Sequence, residues 1–447
     1  MTSNHPDALS RPDTAGPIPF RDALRFWVRL GFINFGGPTG QIAIMHEELV
    51  VRRRWIDERG FLHALNFSML LPGPEAHQLA IYVGWLLHGA PGAVVAGVFF
   101  LLPALVLILG LSWVYATQGH LTWLAGIFDG LSWGVLGIVA AAVLRIADRA
   151  VRGRLAVGIA VGAFAALFLF GVPFPAVIAA AAALGIAVRA PSNPDAAPAG
   201  EAAESRGRAR PSLARTARVL AVGVLVWIAP LAAVAFAVGT ESVIAREAVF
   251  FAFLALVTFG GAYAVLAYVN QAAVLRFGWL GSGEMAVGLS LAETTPGPLI
   301  LVVVFVGYVA AFREPGTLSP QVAGLLGGMV TAWATFVPSF LWIFLGAPSV
   351  ERLRGNRRLS AALSAITAAV VGVVANLALV FAVGVLFDDQ RVVRVATHDL
   401  ILPVVGSVDL LAVAVAIIGF VGIRWLRANV VWVVLGSGLV GLGQALV

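Results

Sequence analysis

Two Pro-Gly-Pro triplets interrupt apolar stretches of this chain, at 72–74 and at 296–298. Proline has no N–H and its ring clashes with the preceding turn, so a helix arriving at Leu71 has to stop there. Proline is tolerated in the first turn of a new helix, so a second half-helix can begin at Pro74. The same reading holds for Pro296, Gly297 and Pro298. Composition places both breaks at membrane depth. Of 447 residues, 60% are hydrophobic and 12% are charged, against about 45–50% apolar and about 25% charged in a soluble domain. Mean hydropathy is +0.94. The chain reads as an all-α polytopic membrane protein, which excludes a soluble enzyme. Non-helical backbone survives at that depth only where it is buried in protein or lines an aqueous cavity.

The breaks belong to a duplication. Phe35-Gly36-Gly37 recurs as Phe259-Gly260-Gly261, an offset of 224 residues. The same offset pairs Trp55 with Trp279, Leu65 with Leu289, the two Pro-Gly-Pro triplets, and Pro91-Gly92 with Pro315-Gly316. Further on the register slips, and Leu-Pro-Ala at 102–104 answers Val-Pro-Ser at 337–339. The organisation predicted is a disordered tail over 1–20, a first repeat over 21–189, a polar Pro/Arg-rich linker over 190–216, a connecting span over 217–238 and a second repeat over 239–447.

Full spans are predicted at 92–116, 121–145, 155–171, 173–188, 217–238, 319–346, 359–386, 402–421 and 429–446. Each half adds two broken segments: 22–46 with 61–89, and 246–270 with 283–311. All 29 basic residues are Arg, which a GC-rich genome explains, and the net charge is +6. Their clusters at 52–59, 145–154, 189–218, 352–358 and 424–427 mark cytoplasmic loops, not a nucleic-acid partner; Arg391 and Arg394, among Asp388, Asp389 and Asp399, are exceptions. On this count the N-terminus and the central linker are cytoplasmic. The single crossing at 217–238 then turns the second half upside down relative to the first. Two halves in inverted topology with broken or re-entrant helices are the signature of a secondary transporter. The chain has no cysteine, hence no disulfide framework or thiolate metal site; no metal and no cofactor is expected. It has no GxxxxGK[ST] or HExxH motif, which argues against ATP as energy source and against zinc-hydrolase chemistry.

A half-helix N-terminus carries about half a positive charge and unpaired donors, which suits an anion. Two of them related by pseudo-symmetry can hold a tetrahedral dianion from opposite sides. The residues predicted to contact it are Arg29, Asn34, Gly36, Gly37, Pro72, Gly73, Pro74, Glu75, His77, Gln78, Gly260, Gly261, Pro296, Gly297 and Pro298. Arg29, unlike Arg25 nearer the surface, is read as interior, where a planar guanidinium fork suits an oxyanion. Free N–H groups are expected from Glu75 to Gln78. Glu293 and Glu75 flank the two breaks. An ionisable group in an apolar run is costly, so both are candidates for proton coupling.

These motifs together resemble the chromate ion transporter family. The residues that carry the resemblance are Asn34-Phe35-Gly36-Gly37-Pro38, His46-Glu47-Glu48, Arg54-Trp55, Leu71 to Glu75, Gln78-Leu79-Ala80, Gly84 and Leu102-Pro103-Ala104. In the second half they are Thr258 to Tyr263, Gly278-Trp279 and Thr295 to Pro298. The resemblance spans both halves and implies a long, two-domain member in the bacterial inner membrane. It implies export of chromate, with sulfate as an analogue, driven by the proton motive force. The partners so implied are a chromate- or sulfate-like dianion, protons and the bilayer, with a homodimer allowed. Two other classes stay open at this point: a membrane-embedded enzyme acting on a lipid-linked substrate, and a passive anion channel.

Overall fold

The computed structural model of the chain describes residues 18–188, 213–259, 261–346, 357–395 and 398–447. Most of the tail, most of the linker and Gly260 therefore lie outside the described residues.

The first helix, α1 (Phe20–Ile33), buries Ala23, Phe26, Trp27 and Leu30 at helical spacing and turns Arg21, Arg25 and Arg29 outward. It ends at Asn34. Gly36, at φ 92°, reverses the chain into α2 (Gly37–His46), which runs on through a π-helical turn, Glu47–Arg52. Beyond that turn Trp55 meets Phe26 edge-on at 5.4 Å, and the Arg53 guanidinium lies over both rings. The chain has thus come back to the early turns of α1, and α1–α2 is a re-entrant hairpin. Next, α3 (Glu58–Ser68), capped by the Asp57 carboxylate on the Gly60 N–H, climbs to the first Pro-Gly-Pro. There α4 (Glu75–Gln118) begins, and Phe67 meets Tyr82 across the break at 4.9 Å.

Helix α4 is not one rod. His88 and Gly89 leave helical geometry, and the limb 75–87 folds back along the limb 90–118. The two limbs touch where Gly84 lies against Gly92 and Ala96, a contact without room for a Cβ. The turn sits at the start of α1, where a His88 ring nitrogen is 2.9 Å from the Ile18 carbonyl. Both hairpins of the first half therefore open on one side and send their tips inward.

The second half repeats this plan. Its helix α9 (Val243–Val257) is capped by Ser242 and ends at Thr258; α10 (Ala262–Asn270) returns through a π-helical turn, Gln271–Arg276. Phe277 and Trp279 stack at 4.4 Å and both pack on Phe250, midway along α9. Then α11 (Ser282–Thr294) rises to the second Pro-Gly-Pro, and a 3₁₀ turn, Leu299–Leu301, leads into α12 (Val302–Arg313). Arg313 closes the foot of this hairpin on Glu284. Tyr115, near the end of α4, donates to Glu284 at 2.9 Å. The feet of the second half thus lie at the opposite end of the long α4 limb from His88. At 1.5 Å per residue, 90–115 separates the two ends by about 37 Å. The two halves enter from opposite sides, and their tips meet between.

Around them pack α5 (Thr122–Ala150), α6 (Arg154–Phe170), α7 (Phe174–Val188), α13 (Pro320–Gly346), α14 (Arg357–Leu386), α15 (Leu410–Arg424) and α16 (Val430–Ala445). Small residues set the crossings: Gly126 and Gly130 on Gly441 and Ser437, Gly372 on Ala160, Gly307 on Gly327. Between apolar helices in lipid, close backbone approach of this kind is a main source of association. One helix stands apart. α8 (Leu213–Val238) exposes Leu220, Val222, Leu225 and Phe236 and is held to α13 by Trp227 Nε1 on the Ala334 carbonyl, 3.0 Å. Among the described residues α4, α5, α8, α13 and α14 are each long and apolar enough to cross a membrane.

Two boundaries differ from those predicted. The span at 402–421 starts late: β1 (Gln390–Val395) pairs antiparallel with β2 (His398–Pro403), and the helix begins only at Leu410. Pro403 and Gly406 disfavour an earlier start, and the Asp409 carboxylate caps the N–H groups of Leu411 and Ala412. Apart from this hairpin, the regular secondary structure of the described residues is helical. Second, α8 takes four residues from the expected linker, so Arg215 belongs to its first turn.

Candidate functional site

The two breaks exchange backbone hydrogen bonds. Gly73 N–H donates to the Thr258 carbonyl at 3.0 Å, and Gly297 N–H donates to the Asn34 carbonyl at 2.9 Å. Gly73 and Gly297 are 224 residues apart, and so are Asn34 and Thr258. Each Pro-Gly-Pro is thus pinned to the tip of the other half's first hairpin. Both glycines have positive φ, 127° and 150°. A Cβ on Gly73 would press on Ser339 Oγ at 3.2 Å, and one on Gly297 would press on Ala104. Ser339 and Ala104 are themselves the matching residues of the two proline-containing triplets in α13 and α4. The breaks therefore sit in one place, each roofed by the other half's long helix.

Polar side chains around this junction are left unsatisfied. Asn34 is fully buried, and neither its Oδ1 nor its Nδ2 has a partner. Gln41 donates to the Gly297 carbonyl and Gln78 to the Pro72 carbonyl at 2.6 Å, which leaves both Oε1 atoms unpaired. Ser339 Oγ and, one turn earlier, Thr335 Oγ1 are also unpaired. A buried polar atom without a partner costs about 1–3 kcal/mol, so a cluster of them calls for a ligand or ordered water. The half-helix starts add donors. Gln78 N–H closes the first turn on the Pro74 carbonyl, so the N–H groups without intrahelical acceptors run from 75 to 77 rather than to Gln78.

The predicted residues divide. Asn34, Gly36, Gly37, Pro72, Gly73, Pro74, Gln78, Pro296, Gly297 and Pro298 form the junction or its flanks. Glu75 joins them: its Oε1 lies 3.6 Å from where a Cβ on Gly261 would stand. Its counterpart at the offset is Leu299, so only one of the two helix starts carries a carboxyl group. His77 is buried, but its ring is enclosed by Phe100, Phe336 and Phe340, and Nε2 faces the Gly97 carbonyl at 3.2 Å. That ring joins the two limbs of α4. Arg29 is exposed on α1, which corrects the interior reading: the periodicity that buries Phe26, Trp27 and Leu30 sends it outward. Positive potential at the junction comes from the helix starts. Gly260 lies outside the described residues.

Glu293 is buried within the second half and accepts a hydrogen bond from the Tyr263 hydroxyl at 2.8 Å. Sequence reasoning passed over Gln41, Ser339 and Glu247. The last is a carboxylic acid inside the apolar run of α9, the signal that singled out Glu293.

Comparison with known proteins gives the family. Residues 21–186 and 246–442 match the family described as Chromate transporter. The chain is 29% identical over 372 residues to the chromate transport protein of Cupriavidus metallidurans, covering 83% of this chain and 84% of that one. It is 30% identical to the chromate transport protein of Pseudomonas aeruginosa, with 80% of each covered. It is 26% identical to a probable chromate transport protein of Synechococcus elongatus, over 88% of this chain and 89% of the other. No solved structure matches the chain. With both halves matched and the breaks of both in one junction, the chain belongs to the chromate transporter family and is a multi-pass membrane transport protein, not an enzyme.

Proposed function

We propose that the protein exports chromate, or a divalent oxyanion of the same shape such as sulfate, across the bacterial inner membrane. The reading is carried by the reciprocal bonds between Gly73 and Thr258 and between Gly297 and Asn34. They bring two half-helix starts to one point, beside the unpaired groups of Asn34, Gln41, Gln78 and Ser339. Donors of this kind read charge and tetrahedral shape, not the central atom. Because the halves enter from opposite sides, exchanging their conformations would expose the junction to each side in turn. The N-terminus and central linker face the cytoplasm on the arginine count.

Protons supply the drive in this reading. A carboxylate on Glu75 sits at the helix start where the dianion would sit, and like charges at one site disfavour each other. Glu75 is therefore one candidate proton carrier, its protonation state coupled to the anion at the same site. Glu293, hydrogen-bonded to Tyr263 beside the second break, is the other candidate carrier. The test is uptake of labelled chromate and of labelled sulfate into everted vesicles, with and without a pH gradient. Accumulation that collapses with the gradient supports the proposal. Gradient-independent equilibration supports a passive pore instead.

A further inference from the structure

We propose that Glu247 is a further proton-binding site, placed so that ionisation of its carboxyl group parts α9 from α12 and α13. The inference rests on the proton-coupled reading above and extends it to a residue outside the junction. Glu247 lies in the second turn of α9, fully buried, and neither carboxyl oxygen has a hydrogen-bond partner. It lies over a tight crossing. Gly307 of α12 and Gly327 of α13 touch through backbone, and a Cβ on Gly327 would stand 2.9 Å from Glu247 Oε2.

The groups that face it from every packed element are uncharged or otherwise engaged. On α9, Arg246 is exposed and points away from the buried face. α13 carries no charged residue over Pro320–Gly346. On α12, Tyr308 packs against Gly324, and Arg313 is committed to Glu284. On α8, Arg215 and Arg218 are confined to the first turns, which are exposed. The arrangement accommodates a neutral acid and makes no provision for a carboxylate, which needs a counter-ion or water. Neither can enter while Gly307, Gly327 and α9 are in contact. An ionised Glu247 therefore favours a state in which this crossing has opened.

Such opening has a path to the junction. α9 ends at Thr258, whose carbonyl accepts the Gly73 N–H. From 247 to 258 the helix is about 16 Å of rigid rod. The residue at the same offset in the first half is Ala23, buried against the core. Glu247 and Glu293 thus both load the second half, and the first half lacks counterparts to either, since Met69 answers Glu293.

The test uses the purified full chain in lipid vesicles. Infrared spectra recorded across a pH titration should show the carbonyl stretch of a buried, protonated carboxylic acid. That band should be lost in Glu247→Gln and retained in Glu293→Gln. Glu247→Asp, which keeps the acid, should retain a shifted band. In everted vesicles Glu247→Gln should still exchange labelled chromate for unlabelled chromate but lose pH-gradient-driven accumulation. An unchanged band in Glu247→Gln, or full accumulation by that variant, overturns the proposal. If the unsubstituted protein shows no gradient-driven accumulation, the coupled reading of the whole protein fails, while the infrared comparison still decides whether Glu247 binds the proton.

Discussion

Asn34 is the residue on which the site turns, because it serves both halves at once. Its carbonyl anchors Gly297, and its side-chain amide is buried with nothing to bond. Asn34→Leu keeps the backbone bond and removes the amide. A lost hydrogen bond to a charged ligand is worth about 1.5–3 kcal/mol, so half-saturation for chromate should rise roughly tenfold to a hundredfold. Concentration-dependent uptake into everted vesicles measures it. Gln78→Leu should weaken uptake further, because it also frees the Pro72 carbonyl. Glu293→Gln should leave chromate exchange intact and reduce accumulation driven by a pH gradient; equal accumulation returns Glu293 to a structural role. Tyr263→Phe removes the donor to Glu293 and should cost about 1 kcal/mol of stability, read from thermal unfolding in detergent.

At the level of elements, the account depends on glycines that permit turns inside apolar helices. Two of them make a controlled comparison. Gly89 has φ 64°, and a Cβ there would meet nothing within 4 Å. Its ψ of −149° puts it in a region that essentially only glycine adopts, so Gly89→Ala should cost backbone strain alone, about 1–3 kcal/mol. Gly297→Ala adds overlap with Ala104 to a φ of 150° and should cost more and abolish transport. Thermal unfolding and vesicle uptake of the two variants separate these cases; equal losses would mean that the tip contact does not matter. The Pro-Gly-Pro breaks were readable because proline forbids helix continuation whatever surrounds it. The end of one apolar segment at 89 and the start of the next at 92 also placed the break at His88-Gly89, but not the fold-back of the two limbs, which the packing of Gly84 on Gly92 sets. The hairpin at 390–403 was hidden for a different reason. Its residues are apolar enough to prolong the following span, and the cap at Asp409 competes only weakly in a hydropathy window.

For the whole molecule, the duplication was legible at the residues that cannot vary in shape, such as Phe35-Gly36-Gly37 and its repeat. Which half touches which was not, because the bonds between Gly73 and Thr258 and between Gly297 and Asn34 join residues 185 and 263 positions apart. Arg29 shows the same limit, since helical periodicity places it on an outward face that charge alone did not reveal. The inverted plan makes its own prediction. The chain has no cysteine, so Arg25→Cys and Thr117→Cys each introduce a single thiol. A membrane-impermeant maleimide should label position 25 only from the cytoplasmic side and position 117 only from the other; labelling from one shared side contradicts the inverted entry of the halves. The central claim, that the facing tips form one oxyanion site, is tested most directly by locating a heavy tetrahedral dianion such as tungstate by electron cryomicroscopy of the purified protein. The account predicts one strong density between Gly73 and Gly297, within hydrogen-bonding reach of the Asn34 amide and abolished by excess chromate. Density elsewhere in the protein, with none between those glycines, would contradict it.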